Sequence, residues 1–302
     1  MSRKLYEEKK SLLNDFQRGV IQECFQREIG GLSLPLGSGK TLIALLLGLY
    51  KCNEKPILVV VSKSLLPSWV FEIKKFFGDE LKYEILHPTI LKYKVEKWTM
   101  KEDTQLILTT SDVLSKIYKE NNLAIDFIES KWNRYVGFTH YYKKLKRPIL
   151  SHVFGGGILY SISWGFLIVD EAQMYTNILT QRCRSIGIIY SKNRWLLSGT
   201  LFDEPTTERI LGYHILLNAP DFPRNLPEAQ HMIRGRFYGL KKYLVSREKN
   251  EAFTPPKVNE YIITHQLTKE EKKIYLNMKN ILIEVQRKAR EADLLEDVNE
   301  KR

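Results

Sequence analysis

The sequence predicts an α/β protein with a mainly parallel β-sheet flanked by helices. Four short apolar runs rich in β-branched residues are each ended by polar residues or glycine, which is typical of strands buried on both faces. Stretches with helical spacing lie between these runs, and such alternation favours a parallel sheet. The chain has 302 residues, 43% of them hydrophobic, and is long enough to bury this core in one large domain or two small ones.

The predicted elements also indicate where a site should lie. We expect one helix in LLPSWVFEIKKFF, after the first run, and another in DVLSKIYKENN, after the second. Ligands of parallel sheets collect at the carboxyl ends of the strands, and polar residues stand at these ends. The four runs are PILVVVS (56–62), LILTTS (106–111), FLIVDE (166–171) and RWLLSGT (194–200).

Composition limits the class of protein. The net charge of +12, from 47 Lys and Arg against 35 Asp and Glu, favours a polyanionic partner, nucleic acid first. A basic protein with no special affinity is the alternative. The three cysteines are far apart and predict neither disulfides nor a zinc site. With no membrane-length apolar run and no signal peptide, we expect a soluble intracellular protein, nuclear or cytoplasmic, without a membrane partner.

The segment SLPLGSGKTLIALLLGLY predicts a phosphate-binding loop followed by a helix from about Lys40 to Tyr50. Glycines allow successive backbone N–H groups to turn toward phosphate oxygens, and the positive end of the helix points to the same place. Lys40 would reach the β- and γ-phosphates, and the Thr41 hydroxyl would hold Mg²⁺. A structural turn is the alternative, since the usual first glycine is replaced by Leu34. The remaining loop residues that we expect to bind the phosphates are Leu36, Gly37, Ser38 and Gly39.

Two adjacent acids follow the third apolar run. Asp170 stands where a carboxylate can hold Mg²⁺ through water, and Glu171 would polarise the water that attacks the γ-phosphorus. Taken alone, such a pair could also be an acidic loop or a helix cap. The phosphate loop earlier in the chain favours the catalytic interpretation.

Residues 131–169 contain no Asp or Glu, and the stretch of about 119–163 has the character of an inserted basic subdomain. Basic residues mixed with aromatic ones suit contact with nucleic-acid phosphates and bases. A solvated basic surface and a docking loop for a protein partner remain alternatives. The residues expected to make the contact are Lys143, Lys144, Lys146 and Arg147.

Further segments follow the motif order of a known family. SKSLLPSWVFEIKKF is similar to P-x-S-L-L-x-x-W-x-x-E, LTTSDVL to T-T-Y-E-x-L, and WLLSGTLFDEP to L-L-T-G-T-P-L-Q-N. The chain thus resembles the superfamily-two helicases and translocases, and within them the Swi/Snf-type DNA-dependent ATPases, from about Leu13 to about Tyr275. The resemblance implies the first RecA-like lobe of a P-loop NTPase, using ATP and Mg²⁺ and acting on nucleic acid, double-stranded DNA first.

The resemblance also implies roles for individual residues. LNDFQRGV is similar to the glutamine motif, in which Gln17 would read the adenine edge. Ser198 and Thr200 would couple nucleotide state to lobe movement. Gln173 stands in the catalytic motif where the family usually has His, and Trp69 is expected to be a core anchor. The residues expected to contact nucleic-acid phosphates are Ser62, Lys63, Thr110 and Ser111.

Departures from the family pattern leave the subfamily open. The A-P-T-G-S-G-K-T loop of unwinding helicases also lacks the first glycine, which accommodates Leu34. Pro35, Leu201, Asp203 and Glu204 differ from the Swi/Snf pattern. A divergent branch, such as the helicase-like proteins of large DNA viruses, fits these departures, and a virion is then a further location.

The expected organisation is a first lobe over residues 1–275 and a helix over 276–302 that leads toward a second RecA-like lobe. Because no arginine-finger motif follows, we expect this chain to be the first lobe alone and to hydrolyse ATP slowly. The leading function is an ATP-driven DNA translocase. A strand-separating DNA or RNA helicase and a nucleotide-binding scaffold without turnover remain alternatives.

Overall fold

The computed structural model describes residues 2–91, 98–120, 159–201, 206–221, 238–248, 264 and 266–299. The chain divides into two compact units, Met1–Pro255 and Pro256–Arg302. The second unit contains the long helix expected in the charged tail. Most of the predicted insertion, with Lys143, Lys144, Lys146 and Arg147, lies outside the described residues, as do Asp203 and Glu204.

The first unit is built on a seven-stranded sheet, and every recorded strand pair in it is parallel. The strand order is β3-β4-β2-β5-β6-β1-β7. The predicted α/β class and its parallel sheet are therefore confirmed. The strands are β1 (Ile29–Ser33), β2 (Ile57–Val61), β3 (Tyr83–Leu86), β4 (Leu106–Thr110), β5 (Trp164–Asp170), β6 (Ser191–Ser198) and β7 (Leu244–Ser246).

Helices flank the sheet, and those predicted from LLPSWVFEIKKFF and DVLSKIYKENN are α4 and α5. None of the helices in the described part of the chain is long and apolar enough to cross a membrane. The helices of the first unit are α1 (Ser2–Lys9), α2 (Asp15–Cys24), α3 (Lys40–Lys51), α4 (Leu66–Phe77), α5 (Ser111–Glu120), α6 (Gln181–Gly187), α7 (Thr207–Leu217) and α8 (Tyr238–Lys241); the second unit has α9 (Lys269–Asn299).

Both faces of the sheet are buried. Side chains along β2 alternate between the faces, so Leu58 and Val60 join a core with α5, α6 and α7, while Val59 and Val61 join a second core with α1 to α4. Helix α4 shows how sequence spacing sets this packing. Its buried residues Trp69, Ile73 and Phe77 recur every fourth position and therefore face the sheet together.

Candidate nucleotide-binding site

The predicted phosphate loop connects the end of β1 to the start of α3. Gly37 and Gly39 both have φ of +81°, the left-handed region that glycine enters without steric cost. Gly39 is the residue that precedes the first turn of α3. Ser38 lies between them, and its buried Oγ has no hydrogen-bond partner among the described atoms. The loop therefore has the backbone of an anion nest, with a spare hydroxyl for a phosphate oxygen.

Strand register brings the loop and the paired acids to the same edge. Ser33 pairs with Ser198 on β6, and Asp170 pairs with Leu197 on the same strand. Because β6 lies between β1 and β5, the two strand ends are about 10 Å apart. Leu34 N–H donates to the Ser198 carbonyl at 3.2 Å, which fixes the entry of the loop against β6.

Lys40 folds back onto its own loop. Its Nζ donates to the carbonyl oxygens of Leu34 at 2.8 Å and Pro35 at 3.1 Å. Burial lowers the pKa of Lys40, and the negative charges of Glu171 and Asp170 partly offset that effect. The two acids and the lysine thus lie at the same edge of the sheet, and their shared role at a phosphate site stays a prediction.

Asp170 is held by two donors in a buried position. The Trp69 indole N–H donates to Oδ2 at 2.7 Å, and the Glu171 backbone N–H donates to Oδ1 at 3.0 Å. Burial raises the pKa of Asp170, while the hydrogen bond from Trp69 lowers it. Trp69 is buried, as expected of a core anchor, but its contact with the carboxylate was not predicted.

Glu171 has an uncommon backbone for a residue other than glycine, with φ of 47° and ψ of 48°. Its Oε2 accepts a hydrogen bond of 2.6 Å from the Gln173 amide. The other amide atom, Gln173 Oε1, is buried without a partner among the described atoms. Strained conformations of this kind cluster at functional sites, and here the strain sits on the predicted water-polarising residue.

Gln17 contacts the phosphate loop directly. Its Nε2 donates to the Ser38 carbonyl at 3.1 Å, and its Oε1 accepts from the Asn14 backbone N–H at 3.1 Å. A Cβ on Gly39 would meet the Gln17 amide, and the φ of +81° at this position favours glycine whatever the space. The Gln17 Nε2 can still donate one hydrogen bond, and its Oε1 can still accept one. Recognition of adenine by Gln17 stays a prediction.

The residues predicted to contact nucleic acid lie at the ends of the neighbouring strands β2 and β4, where Val61 pairs with Thr110. Lys63 is exposed, and Ser62 Oγ hydrogen-bonds Ser64 Oγ at 2.9 Å. Thr110 and Ser111 are buried. Thr110 Oγ1 accepts from the Val113 N–H at 3.4 Å and so helps to begin α5. Their contact with phosphates stays a prediction.

The predicted coupling residues lie beside the phosphate loop, at the end of β6. Ser198 is buried, and its Oγ accepts a 2.9 Å hydrogen bond from the Thr200 backbone N–H. Because the Ser198 carbonyl also accepts from Leu34, this turn touches the entry of the loop. The coupling role stays a prediction.

A family profile described as the SNF2-related domain matches residues 32–301. The chain belongs to the SNF2-related family. The resemblance drawn from the sequence motifs is confirmed. SNF2-related proteins are nucleic-acid-dependent ATP hydrolases, and the family implies the use of ATP.

The chain is also similar to a viral protein. The SNF2-related chain is 27% identical over 262 residues to a protein of Invertebrate iridescent virus 6 that is named helicase 172L. The match covers 82% of this chain and 42% of that protein, so the chain spans less than half the length of its relative.

The fold is shared with a solved structure. The SWI2/SNF2 ATPase core domain of Sulfolobus solfataricus matches with a TM-score of 0.50 and 19% identity, over 78% of this chain and 43% of that one. The same core in complex with double-stranded DNA matches with a TM-score of 0.49 and 21% identity, over 78% and 44% of the two chains. At these identities the likeness concerns the fold alone.

The residues of this SNF2-related site fit a magnesium–nucleotide complex. Mg²⁺ is commonly held by one or two carboxylates together with substrate phosphates and water rather than by an all-protein cage. In the described part of the chain no three His, Cys, Asp or Glu residues form a metal cluster. The site instead offers Asp170, the half-buried Thr41 in the first turn of α3, and the anion nest.

Proposed function

We propose that this chain is the ATP-binding lobe of a DNA-dependent translocase. One observation carries the proposal: Lys40, the glycine loop and the Asp170–Glu171 pair share one edge of the sheet, because Ser33 and Asp170 pair with adjacent residues of β6. Family membership supports ATP as the nucleotide. The net charge of +12 supports a polyanionic partner.

The loop residues bind the polyphosphate in this proposal. Lys40 exchanges the carbonyls of Leu34 and Pro35 for phosphate oxygens, so a contact within the protein is replaced by a charge-assisted one. The N–H groups of the turn and the Ser38 hydroxyl supply neutral donors. Gln17 contacts the adenine edge with its remaining donor and acceptor.

Thr41 and Asp170 would hold Mg²⁺. When bound, the metal neutralises charge on the β- and γ-phosphates. Glu171 accepts a proton from the attacking water, and Gln173 orients Glu171 through the 2.6 Å hydrogen bond. Arginine fingers of a second RecA-like lobe complete the site, and their absence lowers the rate by about 10³- to 10⁵-fold.

Duplex DNA is the proposed partner. Its backbone would be contacted by Ser62 and Lys63, together with Lys143, Lys144, Lys146 and Arg147. Thr110 and Ser111 are buried and would reach it only after a rearrangement of the strand end. Contacts to phosphate are independent of base sequence, as a translocase requires. Movement between the lobes would be signalled through Ser198 and Thr200, which lie against the loop entry.

The test measures single-turnover ATP hydrolysis by the chain with duplex DNA, single-stranded DNA or RNA of equal length. We expect duplex DNA to stimulate most, and Glu171→Gln to remove the stimulated hydrolysis while nucleotide binding persists. Stronger stimulation by a single strand would support a strand-separating helicase instead. Nucleotide binding without any polynucleotide-dependent hydrolysis, even with a second lobe supplied, would indicate a scaffold lobe.

A further inference from the structure

A hydrogen bond between two buried side chains joins α4 to the end of β5. The Trp69 indole N–H donates to Asp170 Oδ2 at 2.7 Å, and the two residues are 101 positions apart in the chain. Trp69 is 2% exposed and Asp170 is 9% exposed, so the bond is largely shielded from water. With the Glu171 N–H on Oδ1 at 3.0 Å, each carboxylate oxygen has one donor, and rotation of the group is fixed.

Packing alone does not require this pairing. A buried indole usually finds a partner for its N–H, but a backbone carbonyl is sufficient. Trp164 uses the Leu159 carbonyl at 2.9 Å in this way. Trp195 is fully buried, and its N–H has no partner among the described atoms. Trp98, also fully buried, donates to the Glu84 carboxylate at 3.1 Å, so an indole–carboxylate pair also occurs away from this site. The pair formed by Trp69 differs in its acceptor, because Asp170 is one of the two acids at the end of β5, at the same edge of the sheet as the phosphate loop.

We propose that Trp69 is a positioning residue for magnesium, whose indole N–H holds the Asp170 carboxylate in the orientation that serves the metal. The inference rests on the proposed function, since it gives Asp170 the role of a magnesium ligand. Groups that orient metal-binding carboxylates commonly change metal affinity about 10- to 100-fold when removed. Trp69 touches neither nucleotide nor metal in this proposal, and it acts only through Asp170.

The test uses Trp69→Phe, which removes the N–H and keeps a buried aromatic ring. Trp195→Phe is the matched control, because it makes the same change at a buried indole without a described partner. Binding of a fluorescent ATP analogue is titrated with Mg²⁺ and repeated in EDTA. We expect Trp69→Phe to raise the half-saturating Mg²⁺ concentration about 10-fold or more, with unchanged affinity in EDTA. Trp195→Phe should leave both values unchanged.

An unchanged Mg²⁺ dependence in folded Trp69→Phe would overturn the inference while the proposed function stands. If nucleotide binding by the wild-type chain does not depend on Mg²⁺, both the inference about Trp69 and the proposed function are wrong. If the variant does not fold, wild-type protein labelled with ¹⁵N provides a second measurement. The assigned indole N–H signal of Trp69 should shift when Mg²⁺ is added to the nucleotide-bound chain, and that of Trp195 should not. A stationary Trp69 signal would equally overturn the inference.

Discussion

Arg194 and Lys40 are both cations that donate to backbone carbonyls, but their surroundings differ. Arg194 is fully buried and donates to the carbonyls of Ile186, Gly187, Ile189 and Leu216, at distances of 2.7 to 3.3 Å. Ile186 and Gly187 end α6, and Leu216 lies in the last turn of α7. Carbonyls at helix carboxyl ends carry partial negative charge, so this is a favourable place for a cation. Burial lowers the pKa of Arg194 to about 9, which leaves it charged at neutral pH.

Lys40 makes similar bonds in a less favourable place. It donates to two loop carbonyls but is the first residue of α3, at the positive end of the helix. Burial lowers the pKa of Lys40, and the negative charges of Glu171 and Asp170 offset that effect only in part. The comparison indicates that Arg194 stabilises the fold, whereas the position of Lys40 agrees with its proposed role in binding phosphate.

The largest expected effect is on stability, from Arg194→Leu. The change leaves buried carbonyls without donors, and each such group costs about 1–3 kcal/mol. We expect the free energy of unfolding to fall by roughly 3 kcal/mol or more, measured by urea denaturation. Arg194→Lys keeps the charge but has fewer donors, and its free energy of unfolding should fall by less. A loss smaller than about 1 kcal/mol for Arg194→Leu would mean that relaxation satisfies the carbonyls, and the comparison would fail.

Lys40→Met should show the opposite pattern. Its hydrogen bonds are lost, but so is a cation at a helix amino end, which is unfavourable by about 0.3–1 kcal/mol. We therefore expect the free energy of unfolding to change by less than about 1 kcal/mol. The affinity for Mg·ATP should fall about 10- to 100-fold, as for the loss of charge-assisted hydrogen bonds. Unfolding and fluorescent-nucleotide binding are measured on the same preparation. A strongly destabilised variant with normal affinity for Mg·ATP would mean that Lys40, like Arg194, is a structural residue.

The central strands could be predicted from the sequence because burial on both faces makes them continuous apolar runs, as in β2 and β5. Strand β1 was missed because its sequence, IGGLS, contains two glycines. The structure gives the reason for one of them. A Cβ on Gly30 would lie 2.8 Å from the Trp195 ring, so the strand needs glycine for close packing. Strands β3 and β7 are edge strands of four and three residues, too short for a clear pattern.

The site could be predicted as far as its motifs extend. Spacing along the chain identified the loop, Lys40 and the two acids, because each group is contiguous. It could not show the hydrogen bond from Trp69 to Asp170, which joins residues 101 positions apart. The left-handed backbone of Glu171 could not be predicted either, because the sequence indicates such a conformation only when the residue is glycine or asparagine.

The smallest expected effect tests whether that backbone strain serves function rather than stability. In the left-handed region a residue with a Cβ costs about 1–2 kcal/mol, and glycine relieves this at an entropic cost of about 0.5–1 kcal/mol. Glu171→Gly should therefore raise the free energy of unfolding by about 0.5 kcal/mol while it removes hydrolysis. Asn218→Gly is the control, since Asn218 has φ of 51° at the end of α7 and asparagine tolerates this region. The free energy of unfolding should change less in Asn218→Gly than in Glu171→Gly. If Glu171→Gly instead destabilises the chain by more than about 1 kcal/mol, the Glu171 carboxylate belongs with Arg194 among the groups that hold the fold.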